Sequence, residues 1–213
     1  MGRVMFQMAV SLDGYVAGPD QSVENPVGVG GTRVFEWFFD LEVWRRMQGL
    51  EGGIVNASTG VIEDARANVG AYVMGRNMFG GGPGPWPDDP PWTGWWGDEP
   101  SYHVPVFVLT HYPRDPLEMR GGTTFFFVTD GIGSALDQAR VEAADRDVRI
   151  AGGAEAVREY LRAGLVDDFE LNLAAVLLGA GERLFDHVGD LQLEQVRAIE
   201  APGVTHLKYR VVK

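Results

Sequence analysis

The sequence predicts an α/β fold: a mostly parallel central sheet flanked by helices, closed by an antiparallel C-terminal hairpin. Three observations carry this reading. Short apolar runs alternate with helix-period segments as far as residue 164, the pattern of strands joined through crossover helices. Several of those runs stop at glycine, at Gly75 and at Gly152-Gly153. Pro202-Gly203 separates two β-rich runs, which signals a hairpin. With 213 residues, 45% of them hydrophobic, and with no charged linker and no internal repeat, a single domain over 1–213 is expected.

Residues 3–10 read as a buried strand with apolar side chains on both faces. Ser11-Leu12-Asp13-Gly14 follows, a turn with one carboxylate that turn-shaping alone would explain. Residues 19–32 are polar and glycine-rich, hence loop. The stripe Val34, Trp37, Phe38, Leu41 and Trp44 predicts one helix over 33–50, its aromatics suited to a core. A shorter helix is expected over 59–67, capped by Ser58 or Thr59. Residues 70–74 read as a second buried strand, stopping at Gly75-Arg76-Asn77-Met78. An arginine just past such a strand stands where open α/β sheets bind their ligands.

Residues 80–100, GGGPGPWPDDPPWTGWWGDEP, cannot form regular structure, yet they hold four of the six tryptophans. Disordered segments are poor in aromatics, so this loop is expected to pack on something: as a lid, a dimer contact or core cover. Strands are expected over 104–110, leading to Thr110-His111 and Arg114, and over 123–129. Asp130 is expected to cap a helix running to residue 144. Val148-Arg149-Ile150 then feeds Gly152-Gly153, and a helix opens at once with Ala154-Glu155. A double glycine at a helix N-terminus is either a tight turn or a seat for an anion, because main-chain N–H groups converge there. Beyond residue 165, the runs 168–178, 191–201 and 204–212 read as strands.

The net charge of −12 argues against a nucleic-acid partner, and no apolar run is long enough for a membrane span. The chain has no cysteine and four scattered histidines, which argues against thiol chemistry and against a metal site. A soluble, cytoplasmic protein is expected. In an acidic chain, cationic groups at one sheet edge are informative. Strands of a parallel sheet end on the same side, so Gly75-Arg76, Thr110-His111 with Arg114, and Gly152-Gly153 can converge. That combination suits a dinucleotide carrying an extra phosphate, and it shifts the double glycine toward the anion reading. No G-x-G-x-x-G follows the first strand, so this is not a Rossmann fingerprint.

Ser11-Leu12-Asp13-Gly14, Met74-Gly75-Arg76, Val108-Leu109-Thr110, Gly152-Gly153, Leu165-Val166-Asp167-Asp168 and the segment AAVLLGAGERLF at 174–185 occur in this order. Together they resemble the dihydrofolate reductase-like superfamily, in particular the reductase domain of the riboflavin-biosynthesis deaminase/reductase and its stand-alone bacterial relatives. The resemblance implies a dihydrofolate reductase-like sheet, NADPH as cofactor, a small pterin- or pyrimidine-like substrate reduced at C=N or C=O, and a homodimer. It places Arg76 on the 2′-phosphate with His111 or Arg114. Gly75, Asn77, Met78 and Thr110 fall in the same cofactor edge, and Gly152, Gly153, Ala154 and Glu155 fall on the pyrophosphate. Asp13 falls at the substrate, as the candidate for proton assistance or for binding a substrate hydroxyl or amine, with Trp37 and Phe38 nearby.

Three departures accompany the resemblance. Met78 stands where the family often has threonine. Val34 stands where dihydrofolate reductases carry a pterin-binding carboxylate. The absence of cysteine excludes the zinc site of the deaminase half. A non-catalytic nucleotide sensor would keep the phosphate edge without needing Asp13.

Overall fold

The computed structural model describes residues 2–88 and 91–213; Met1 and residues 89 and 90 of the expected 80–100 loop lie outside the described residues. In chain order the elements are β1 (Val4–Ser11), β2 (Tyr15–Ala17), α1 (Glu36–Phe39), α2 (Glu42–Met47), α3 (Ala57–Ala67), β3 (Val69–Gly75), α4 (Arg76–Phe79) and β4 (Val106–Leu109). They continue with β5 (Leu117–Glu118), β6 (Thr124–Val128), α5 (Gly131–Ala143), β7 (Asp147–Gly152), α6 (Ala154–Arg162), β8 (Asp168–Ala174), β9 (Glu182–Arg183), β10 (Leu193–Ala201) and β11 (Val204–Val211). The chain forms two compact units, Met1–Met5 with Val69–Leu165, and Phe6–Asn68 with Val166–Lys213.

In the first unit the strands run in the order β7-β3-β4-β6-β5. β3 is parallel to β7 and to β4, and β4 is parallel to β6. The short β5, which the sequence does not announce, turns back antiparallel to β6. α5 packs on β3 and β4, and α6 on β7. Met74, Phe79, Val106, Val108 and Phe125 have no exposed surface. This is why the strands read as continuous apolar runs rather than alternating ones. α5 approaches β3 closely because position 70 is glycine; a Cβ there would lie 2.7 Å from the Ala143 Cα. Asp130 occupies the N-cap position of α5, but its side chain makes no capping bond and instead accepts from the Thr129 hydroxyl at 3.4 Å.

The tryptophan-rich segment belongs to this unit and covers its core. Trp86, Trp92 and Trp96 pack half-buried against the cluster around Phe79 and Phe125. The indole N–H groups of Trp92 and Trp95 donate to the carbonyls of Phe79 and Met78 at 2.9 and 3.0 Å, satisfying the C-terminal end of α4. Of the three readings of this loop, core cover describes these contacts.

The second unit is antiparallel where the C-terminal strands meet, in the order β10-β11-β8-β1. The β10–β11 hairpin turns at Pro202-Gly203 as expected, with Gly203 at φ 77°, a conformation that favours glycine. β2 and β9 pair separately. The helix expected over 33–50 is interrupted. A 3-10 turn, α1 and α2 take its place, because Leu41 is extended (φ −68°, ψ 142°) and bridges to Ile54. Leu41 is buried by that bridge, so burying it outweighs continuing the helix. The cap of α3 is Asn56, not Ser58 or Thr59. Asn56 Oδ1 accepts from Ser58 N at 2.8 Å, while the Thr59 hydroxyl accepts from Asn56 N at 3.2 Å, a reciprocal capping box.

Beneath α3 lies a buried polar chain. The Ser58 hydroxyl meets His206 Nε2 at 2.8 Å and His206 Nδ1 meets Asn172 Oδ1 at 2.7 Å, so the ring is held neutral between an acceptor and a hydroxyl. Burial, with a further contribution from Arg197, pulls the His206 pKa down to about 4. A histidine depressed in the folded state and near 6.5 when unfolded binds its proton preferentially in the unfolded chain. The stability it confers is therefore complete above about pH 6.5 and is lost as pH falls toward 4, by on the order of 3 kcal/mol at most. Urea unfolding at stepped pH is expected to show that acid loss in the wild type and a shallower one in His206→Gln.

Candidate functional site

The edge expected to hold phosphate is built wholly within the first unit. Register places Gly75 opposite Leu109 and Met74 opposite Gly152, so the C-terminal ends of β3, β4 and β7 lie side by side. A Cβ at Gly75 would stand 3.7 Å from Gly153 N, so the two glycine turns are neighbours. The Gly152–Gly153 peptide is cis and Gly152 has φ 130°. Gly153 is the N-cap of α6 and offers no side chain to its first N–H groups. The direction its missing Cβ would take has nothing within 4 Å. Open space, glycine and the N-terminus of a nine-residue helix therefore coincide. The Glu155 carboxylate turns back along α6 to Arg158 and Arg162, which hold its pKa low, so toward a ligand it offers only its main-chain N–H.

The cationic part stands on the neighbouring strand ends. Arg76 opens α4, and its guanidinium carbon lies 3.1 Å from the centroid of the Trp86 ring. Nη2 donates to the Gly82 carbonyl at 3.0 Å, whereas Nε and Nη1 are buried without a hydrogen-bond partner among the described residues. Burial, and then repulsion from Arg114, pull the Arg76 pKa down to about 10, which leaves it charged at neutral pH. Arg114 donates to the Trp92 carbonyl at 2.6 Å and lies 5.2 Å from the same Trp86 ring; burial lowers its pKa too. Two arginines thus share one indole. Their side chains bond to carbonyls there, and no carboxylate bonds to either among the described residues.

The other expected cofactor residues are placed as follows. The Thr110 hydroxyl accepts from Tyr112 N at 3.1 Å and so shapes the turn after β4. His111 is exposed at that turn, and Asn77 is exposed on α4. Met78 packs its side chain on the core and gives its carbonyl to Trp95, so only its main-chain N–H remains for a ligand.

In the second unit, Asp13 is bound more tightly than a surface turn requires. It accepts from the Ser11 hydroxyl at 2.6 Å, from Leu178 N at 3.1 Å and from Gly179 N at 2.7 Å. The Ser11 bond foremost, supported by the two main-chain donors, lowers its pKa to about 2. Asp13 therefore ties the β1–β2 turn to the Leu178-Gly179 segment as a carboxylate. Trp37 donates its indole N–H to the Val34 carbonyl at 2.9 Å, meets Phe38 at a tilt and His206 edge-on, and with Phe38 is half-buried against the core. Two cations that the sequence reading missed flank the Asp13 turn. Arg33 donates to the Leu177 carbonyl at 3.1 Å, and Arg183 lies 4.5 Å over the Tyr15 ring. Arg33 has no motif around it, and Arg183, although inside the segment at 174–185, has nothing there to announce a place beside Tyr15, so only the fold reveals them.

Among the described residues no group of three or more metal-binding side chains forms, and no helix is long and apolar enough to cross a membrane. The architecture is the dihydrofolate reductase-like α/β fold, mostly parallel with antiparallel C-terminal strands. Residues 3–207 match the RibD C-terminal domain, and the chain belongs to that family. No curated protein matches the sequence.

Solved structures share the fold at low identity. A Shewanella sp. PV-4 protein ascribed to riboflavin biosynthesis is 18% identical with 99% of each chain covered and a TM-score of 0.66. Dihydrofolate reductase from Enterococcus faecalis, complexed with NADP(H), is 12% identical, with 100% of this chain and 98% of that one covered and a TM-score of 0.56. The riboflavin biosynthesis reductase of Saccharomyces cerevisiae is 13% identical, with 99% and 90% covered and a TM-score of 0.55. Family and fold together indicate a reductase.

Proposed function

We propose that residues 1–213 act as one NADPH-dependent reductase domain, cytoplasmic and homodimeric, on a small pterin- or pyrimidine-like substrate reduced at a C=N or C=O bond. The observation that carries this is the pairing of Arg76, with two buried unpartnered nitrogens, and the open glycine edge at Gly153. An acidic chain that sequesters an unsatisfied guanidinium beside a bare helix N-terminus fits a ligand with two phosphate groups. NADPH, when bound, supplies the hydride.

The chain's residues supply binding and orientation. Arg76 with Arg114, bordered by His111 and Thr110, holds the 2′-phosphate. The main-chain N–H groups of Gly152, Gly153, Ala154 and Glu155 hold the pyrophosphate, with Gly75, Asn77 and Met78 along the same edge. Asp13 acts on the substrate as an acceptor. A carboxyl with a pKa of about 2 carries no proton at neutral pH, so it binds a substrate N–H or O–H, and the proton reaches the product through water.

Two measurements test this reading. Loss of NADPH absorbance is expected with at least one member of a panel of dihydropterins and ribosylaminopyrimidines; a chain that neither binds NADPH nor consumes it with any of them is not this reductase. Asp13→Asn is expected to raise KM about tenfold and leave NADPH affinity unchanged, because one charge-assisted bond to substrate is weakened. With Asp13 ionised throughout, kcat/KM should show no limb from it between about pH 5 and 8. A limb there that vanishes in Asp13→Asn would return the proton-donor role to Asp13.

A further inference from the structure

The position of Trp86 is unlike that of the other loop tryptophans. Trp92 and Trp95 satisfy the carbonyls at the end of α4. Trp86 instead lies flat on Arg76 and donates its indole N–H to the Tyr112 carbonyl at 2.9 Å, tying itself to the turn that also carries Thr110 and His111. Phe127 and Phe79 fix the ring from behind, at centroid distances of 4.8 and 5.6 Å. The indole thus covers the arginine and is itself held on three sides.

The consequence is electrostatic. Nε and Nη1 of Arg76 are out of water with no hydrogen-bond acceptor among the described residues, and Nη2 is committed to Gly82. A guanidinium left hydrated loses part of its attraction to phosphate through solvent screening, whereas a desolvated one keeps it. A site with buried donors also discriminates sharply against an analogue that lacks the matching group, since the donors then stay unpaired.

Building on the phosphate role of Arg76 proposed above, we propose that Trp86 is a specificity-determining residue: by covering Arg76 it makes the site selective for a ligand with a 2′-phosphate over its unphosphorylated counterpart. The indole acts through the arginine. It sets how much the extra phosphate contributes, rather than how well the nucleoside is bound.

The test uses fragments that need only this edge, 2′,5′-ADP and 5′-AMP, titrated calorimetrically into the full chain at fixed salt. Wild type is expected to prefer 2′,5′-ADP by about a hundredfold. Trp86→Leu and Trp86→Gln are both expected to cut that preference about tenfold, through weaker 2′,5′-ADP binding, with 5′-AMP within about twofold of wild type. Trp86→Phe, which keeps a flat ring on Arg76, should retain most of it. Near-UV circular dichroism identifies which variants are folded, and either the leucine or the glutamine variant suffices. A wild-type preference that survives intact in a folded leucine or glutamine variant overturns the role of Trp86 alone. Equal losses for both fragments also overturn it, since they mean general support of the loop. A wild type without preference, or one whose preference Arg76→Ala leaves untouched, overturns the Arg76 reading and this one with it.

Discussion

Arg76→Ala is expected to weaken NADPH binding by about a hundredfold and to leave NADH binding within about threefold of wild type. A charge-assisted hydrogen bond contributes about 1.5–3 kcal/mol, and a phosphate has oxygens for more than one guanidinium nitrogen. The substitution removes two buried, unpartnered nitrogens together with the Nη2 bond to Gly82. Relief of an unsatisfied buried charge offsets the lost packing on Trp86, so the unfolding midpoint should move little. Isothermal titration with both coenzymes reads the selectivity. Parallel losses for NADPH and NADH would mean that Arg76 supports the turn and does not read the phosphate.

Gly153→Ala is the second large effect, and it separates binding from folding. The added methyl enters space with no atom within 4 Å, and no positive φ opposes it. Its cost to stability is that of a poorer N-cap, below about 1 kcal/mol. The same methyl would stand where a pyrophosphate meets the first N–H groups of α6, so NADPH and NADH should both weaken by at least about tenfold. Gly152→Ala is a contrasting control: with φ 130° it strains the backbone and should lower the unfolding midpoint as well. If Gly153→Ala binds both coenzymes normally, the pyrophosphate does not lie on this turn.

The parts of the molecule legible in its sequence are those governed by local punctuation and by the rule that parallel strands end together. Gly75-Arg76, Thr110-His111 and Gly152-Gly153 are far apart in the chain, yet each ends a buried apolar run, and β3, β4 and β7 bring them to one edge. What was not legible depends on contacts that no period encodes. Trp86 reaches Arg76 across nine intervening residues, six of them glycine or proline. The aromatic stripe from Val34 to Trp44 fits a helix, and only the bridge from Leu41 to Ile54 breaks it. Ser58, Asn172 and His206 form a buried chain from three distant segments. The α3 cap was readable, since Asn56 stands three residues before Thr59; the reciprocal bond between them displaces Ser58 and Thr59 from the cap.

Asp13 shows a different limit. Its residue type and its turn suggest both acid–base work and plain turn shaping, and the sequence cannot separate the two. The three hydrogen bonds to its carboxylate stabilise the ionised form, which accepts hydrogen bonds and does not donate them.

The most direct test of the central claim is a crystal structure of the chain with NADPH bound. The account predicts pyrophosphate oxygens within hydrogen-bonding distance of the main-chain N–H groups of Gly153, Ala154 and Glu155, and the 2′-phosphate on Arg76. A coenzyme bound elsewhere, or one whose 2′-phosphate points away from Arg76 into solvent, would contradict it.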